Sequence, residues 1–297
     1  MRRIALYLAC LGMVAAVTMP CARGAALHLL AHYGFEGNPQ DSTGGQAPFE
    51  ILSKAEISSG VLRLAPASSA GTPLLPDLNY RSFTVALDFK VASFSGFDDN
   101  ILSGGPSHRW FGVEQRQGIL AVRLSTKHAN YYNTFEMPQL RTNQWYHLTA
   151  TVDLDSGWVR LFLNGGLTAQ LNVGAGAELN VVGTSAEPYD RVFSFRNHGN
   201  ASTLVGSADN LQIYNRAASP EEVAERIAPQ LRLASSGGIA FLSAPRVLTG
   251  YNLETSATPN LPSSWTTLSQ TPASVGDFFI WPKQMPGAKK FFRLLKE

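Results

Sequence analysis

The sequence predicts an all-β protein, folded as an antiparallel two-sheet sandwich with a small β domain or appendage at its C-terminus. Three observations carry that expectation. Apolar and polar residues alternate along one segment after another, Gly, Asn and Asp turns separate those segments, and a single short stretch carries a helix start. Alternation with period two marks a strand with one buried face.

The first segment is not part of the sandwich. Arg2 and Arg3 give a positive start, Ile4 to Met19 is apolar without a charge, and Pro20 is followed by small residues around Cys21 to Ala26. That order predicts a signal peptide over residues 1–26, and a secreted, periplasmic or cell-surface mature chain. The apolar run falls short of the roughly 20 residues that span a bilayer, so no membrane span is expected in the mature chain. Lipidation of Cys21 is the alternative, but Thr18-Met19-Pro20 lacks the Leu and small residues expected before such a cysteine. Cys10 and Cys21 both lie in the leader, so the mature chain has no cysteine and no disulfide framework. Of 24 basic residues, loss of Arg2, Arg3 and Arg23 leaves 21 against 22 acidic ones, a formal charge near −1. A charge so close to zero argues against nucleic acid or anionic membrane as a partner.

Strands follow. Phe83, Val85, Leu87, Phe89 and Val91 alternate with Thr84, Ala86, Asp88 and Lys90. Leu120, Val122 and Leu124 repeat the pattern, as do the segments Trp145–Val152 and Trp158–Leu163. Asp155-Ser156-Gly157 and Asn164-Gly165 supply turns, the second leading into Leu167–Val173. Ser219-Pro220-Glu221-Glu222 is a helix start, with an N-cap serine, a proline at the first position and carboxylates in the first turn. Pro229 ends that helix. Residues 27–230 are therefore expected to form the sandwich. Beyond Ser235-Ser236-Gly237-Gly238, short strand-like runs predict a small β module over 231–297, marginal as an independent core.

Three stretches resemble a known family. Tyr33-Gly34-Phe35-Glu36-Gly37-Asn38 with Asp41-Ser42-Thr43-Gly44 is similar to the opening of laminin-G-like, concanavalin A-like jelly-roll domains. Gln144–Val152 followed by Val159–Gly165 is similar to their central hairpin, and Gly206–Ala217 with the Glu221-Glu222 helix to their closing strand. The resemblance implies a jelly roll of two packed sheets from Leu27 to Ile227. It leaves function open, because the same sandwich carries lectins, adhesion modules and polysaccharide-cleaving enzymes.

Chemistry is sparse. The superfamily's glycosidases carry an E-x-D-x-x-E strand that points two carboxylates into one cleft. Asp153-Leu154-Asp155 is the nearest match and sits at a turn. No G-x-S-x-G turn is present, and the histidines are scattered, with His147 read as a framework residue. No catalytic residue is assigned.

Two kinds of binding site are expected. The resemblance implies a structural calcium ion held by oxygens of Glu36, Gly37, Asn38 and Asp41, with Asp209 brought alongside; simple turn capping by Asn38 and Asp41 is the other reading. For ligand contact the candidates are Arg109 and Trp110, Tyr131 and Tyr132, and Arg196, Asn197 and His198. These place aromatic faces for sugar stacking beside hydrogen-bonding groups. Trp110 and one tyrosine could equally belong to the core. The expected function is an exported, non-catalytic module binding glycan. A surface protein contacting other proteins, or a divergent polysaccharide-cleaving enzyme, is the alternative.

Overall fold

The computed structural model describes residues 26–95, 98–104, 110–135, 139–180, 192–196, 202–228, 231–236, 239–245, 251–258, 264–275, 278–284 and 291–296. Its centre is two facing eight-stranded sheets. In the first, the order is Gly166–Asn172, Trp158–Leu163, Trp145–Asp153, Ser82–Ser93, Val205–Tyr214, Val61–Leu64 and Ala55–Ser58. Leu29–Tyr33 also pairs with the second half of Val205–Tyr214. In the second, the order is Asn130–Phe135, Ile119–Ser125, Phe111–Arg116, Asp99–Gly104, Phe193–Arg196, Ser69–Gly71 and Glu50–Ile51. Ser202–Thr203 joins it in parallel beside Asp99–Gly104. The all-β sandwich read from the alternation is thus present.

The alternation explains the core directly. Phe83, Val85, Leu87, Phe89 and Val91 all point between the sheets and are buried. Tyr146, Leu148, Ala150 and Val152 extend that face on the neighbouring strand, and Leu120, Val122 and Leu124 face them from the second sheet. Sheets pack this way because each face turned away from water removes apolar area at about 25 cal/mol per Å².

Trp110 belongs to this core. Its ring sits 5.4 Å from Tyr80, 5.7 Å from Phe83 and 5.8 Å from Phe193, centroid to centroid. Gly104 makes room for it, since a Cβ there would approach the indole to 2.7 Å. Trp110 is only 2% exposed, so the expected ligand contact is corrected to a packing role.

The predicted helix starts where expected. Ser219 forms a capping box with Glu222, and Pro220–Glu222 continues as a π-helical turn, Val223–Ile227. Arg216 grips Glu222 through two bonds of 2.7 and 2.6 Å. The helix lays Val223, Ile227 and Ala228 over Ala86, Phe162 and Tyr214 on the outer face of the first sheet.

The tail forms two small sheets. One runs Arg232–Ser236, Ile239–Pro245, Phe278–Gln284, Ala273–Val275; the other runs Thr266–Thr267, Tyr251–Ser256, Phe291–Lys296. Leu242, Ala244, Leu253 and Trp281 make a core of their own. Such a cluster is small, and the tail also reaches the sandwich through Tyr251 and Lys296.

Replacing Trp110 with Ala should cost about 3–5 kcal/mol of unfolding free energy in urea titration, as for other buried large-to-small changes. A loss below about 1 kcal/mol would contradict the core placement.

Candidate functional site

The outer face of the first sheet is organised in rows, because directly opposed residues on neighbouring strands share a face. Trp145, Lys90, Ser207, Arg63 and Glu56 form one row across five strands. Two residues further along lies another row, His147, Asp88 and Asp209. The helix covers the sheet beyond that, at Ala86 and Tyr214.

The second row is sealed. Asp88, His147 and Asp209 are each at most 1% exposed. Like charges in opposed positions repel, and buried carboxylates require partners. His147 Nδ1 lies 2.7 Å from Asp88 Oδ1, and the Tyr251 hydroxyl donates to the same oxygen at 2.9 Å. Asn210 Nδ2 donates to Asp88 Oδ2 at 2.7 Å. Lys296 Nζ donates to Asp209 Oδ2 at 2.7 Å and lies 3.2 Å from Asp88 Oδ2. Its ammonium also stands 5.2 Å from the Trp145 ring centre and 5.0 Å from that of Tyr251.

A bulge makes this geometry possible. The register shifts between Asp209 and Gln212, and Asn210 takes a left-handed φ of 49°, which Asn tolerates better than most residues. Burial drives the Asp88 carboxyl upward, yet the His147 hydrogen bond and the charges of His147 and Lys296 outweigh it and leave the group below its usual range. For Asp209 burial wins over Lys296, and the carboxyl is pushed up to about 7, with the Asp88 charge adding to the rise. Burial, then the Asp88 charge, also raises the Tyr251 phenol.

The first row stays open. It floors a groove of about 750 Å³ lined by Lys54, Arg63, Lys90, Asn143, Trp145 and Ser207 among others. A second recess of about 580 Å³ shares Lys90, Asn143 and Trp145 and runs toward the tail at Leu294–Lys296. The Lys90 ammonium lies 4.9 Å from the Trp145 ring centre. Gly206 brings its backbone against this floor, since a Cβ there would collide with the Lys90 carbonyl. An aromatic ring, amides, a hydroxyl and cations therefore share one concave surface.

The ligand contacts expected from sequence are dispersed. Tyr131 and Tyr132 lie on a strand, Asn130–Phe135, and not in a loop. Tyr131 turns inward against the core and donates its hydroxyl to the Val173 carbonyl at 3.1 Å, so it is corrected to packing. Tyr132 faces outward, 46% exposed, with the Arg123 guanidinium 5.0 Å from its ring centre and Arg123 Nε donating to buried Glu114 at 3.2 Å. Arg196 closes the strand Phe193–Arg196, while Arg109, Asn197 and His198 lie outside the described residues. The groove residues Lys90, Trp145, Arg63 and Ser207 were not singled out from sequence. Their signal was only an outward phase on strands whose partners sequence does not reveal.

Of the five residues expected to hold calcium, Asp41, Asn38 and Asp209 have other partners in the structure. Asp41 accepts the backbone amides of His32, Thr43, Gly45 and Gln46, and the Thr43 hydroxyl at 2.5 Å. Burial raises this carboxyl, but those donors more than offset the rise and hold it low. Asn38 Oδ1 caps Gln40 N at 2.9 Å, and Asp209 is bound to Lys296. A cation would have to displace these donors. Among the described residues, no group of three or more His, Cys, Asp or Glu is placed to hold a metal ion.

The Asp209 carboxyl gives a pH signature. Because its folded value, about 7, exceeds the ordinary 3.8, folding takes up a proton between them. Its contribution to stability is complete below the ordinary value and is lost as pH rises through about 7. Asp88, shifted down, runs the other way: its contribution is present above the ordinary value and is lost as pH falls through its folded value. The difference in urea midpoint between wild type and Asp209→Asn should therefore move in favour of the variant as pH rises from about 4 to about 8. A pH-independent difference would contradict the assignment.

Among curated proteins, no sequence matches the chain. The binding domain of Paraclostridial Mosquitocidal Protein 1 superposes with a TM-score of 0.54 at 16% identity, over 78% of this chain and 61% of that one. The chain thus spans about three-fifths of that domain's length. The receptor binding domain of botulinum neurotoxin C/D mosaic serotype gives 0.52 at 14% identity, over 80% and 68%. The botulinum neurotoxin serotype D ligand binding domain in complex with N-acetylneuraminic acid gives 0.51 at 10% identity, over 88% and 79%. At such identities the likeness is one of fold. Residues 67–224, more than half of the chain, match the family model for the Concanavalin A-like lectin/glucanases superfamily, and the protein belongs to that superfamily.

Proposed function

We propose that this protein is an exported, non-catalytic carbohydrate-binding module, and that it binds in the groove floored by Trp145. The observation that carries the reading is the groove itself. A half-buried indole lies beside Asn143, Ser207 and Lys90 on an open concave surface. Saccharides offer the complement such a surface needs: apolar C–H faces for the ring and hydroxyls for the polar rim.

The non-catalytic part rests on the second row. A glycosidase needs two carboxylates that reach the scissile bond. Asp88 and Asp209 do oppose each other, but both are buried and committed to His147, Asn210, Tyr251 and Lys296. Asp153 and Asp155 serve a turn: Asp153 caps Asp155 N and Ser156 N, and Asp155 pairs with Arg81 at 2.7 Å. Export is supported by the charged and apolar start of the sequence, ahead of the described residues. A binding role is also supported by two proteins of similar fold, one a receptor binding domain and the other a ligand binding domain in complex with N-acetylneuraminic acid.

Affinity electrophoresis of the full protein through a panel of neutral and charged polysaccharides tests this. At least one should retard it, and Trp145→Ala should weaken that binding by roughly tenfold or more, as loss of a central aromatic does. Tyr132→Ala, on the opposite sheet, should leave it unchanged. A panel without retardation, or binding indifferent to Trp145→Ala, would overturn the proposal.

A further inference from the structure

The groove has a charge that the chain as a whole does not. The sequence after the predicted leader is nearly neutral, yet the groove lining carries Lys54, Arg63 and Lys90 against Glu56 alone. The fourth nearby cation, Lys296, is spent on Asp88 and Asp209 and adds nothing free.

The arrangement is also linear. Trp145 opposes Lys90, Lys90 opposes Ser207, Ser207 opposes Arg63, and Arg63 opposes Glu56. The row crosses five strands, and neighbouring strands lie about 4.8 Å apart, so it extends for roughly 19 Å with Lys90 and Arg63 two strands apart. That is a track with an aromatic ring at one end and cations at intervals, long enough for several consecutive sugar rings. Lys90 is held in place by the indole beneath it, at 4.9 Å. The Arg63 side chain is exposed, and its planar fork suits a carboxylate or sulfate.

We propose that the row Trp145–Lys90–Ser207–Arg63 binds a linear anionic polysaccharide, one bearing uronate carboxylates or sulfate esters. This rests on the carbohydrate reading above and narrows its substrate class. The indole stacks on a sugar face, the Ser207 hydroxyl bonds a ring hydroxyl, and Lys90 and Arg63 each meet an anionic substituent.

The test uses matched pairs of ligands with the full protein: polygalacturonate and its methyl ester, dextran sulfate and dextran. The charged member of at least one pair should bind at least tenfold more tightly than its neutral partner. Raising NaCl from about 0.05 M to about 0.5 M should weaken that binding by roughly tenfold or more. The double variant Lys90→Gln/Arg63→Gln should lose it to a similar degree while melting as wild type does. Lys127→Gln, which removes a charge paired to Glu178 elsewhere, should not. Preference for polygalacturonate assigns the uronate, preference for dextran sulfate the sulfate ester, and equal binding of both the shared charge. Equal affinity for charged and neutral partners, insensitivity to salt, or full binding by the double variant would each overturn the proposal. Binding confined to neutral polysaccharides would overturn it and leave the carbohydrate reading standing. Binding to none would remove both.

Discussion

Lys296, near the end of the chain, reaches an ammonium onto two carboxylates that stand opposite each other on adjacent strands of the sandwich. Without it, Asp88 and Asp209 would be like charges facing across a sheet, out of water. Removing one partner from a buried ionic cluster costs on the order of 3–5 kcal/mol, because the remaining charge keeps its desolvation penalty. The cluster therefore ties the tail to the sandwich. It also fixes the order of the outer face: helix over Ala86 and Tyr214, tail strand over Asp88 and Asp209, open groove along Trp145, Lys90 and Ser207.

That order links folding to function. The Lys296 ammonium and the Lys90 ammonium approach the same indole, at 5.2 and 4.9 Å. Trp145 thus stands at the boundary between the sealed row and the open one. The bulge at Asn210 belongs to the same device. By adding a residue to the Val205–Tyr214 strand it aims the Asn210 amide at Asp88 while the Asp209 carboxylate turns to Lys296. Two opposed carboxylates, in a superfamily that includes glucanases, here serve as a structural anchor.

Much of this fold was legible in the sequence, and the reasons are local. The apolar phase from Phe83 to Val91 needs only a period of two, and the Ser219 cap only its four-residue signature. What was illegible is pairing. Asn130 and Asn133 give Tyr131 and Tyr132 a polar setting that hides their strand, which pairs with Ile119–Ser125 and splits them between core and solvent. Trp110 comes soon after Gly104-Gly105-Pro106 in the sequence but is drawn inward by the Tyr80, Phe83 and Phe193 rings. The groove row gathers residues from segments as distant as Glu56 and Ser207, and no spacing within one segment could reveal it. One clue was present: Phe292, Leu294 and Lys296 share a phase, so a lysine occupies a position that alternation reserves for an apolar side chain.

The central claim is that the tail strand and the sandwich form one cooperative unit through the buried cluster. Native-state amide exchange tests it most directly. Amides of Arg293–Leu295 should open with a free energy close to that of the Ser82–Ser93 and Trp145–Asp153 strands, and Lys296→Met should lower the tail's protection sharply. Tail amides that exchange far more readily than those strands, and that are indifferent to Lys296→Met, would contradict the account.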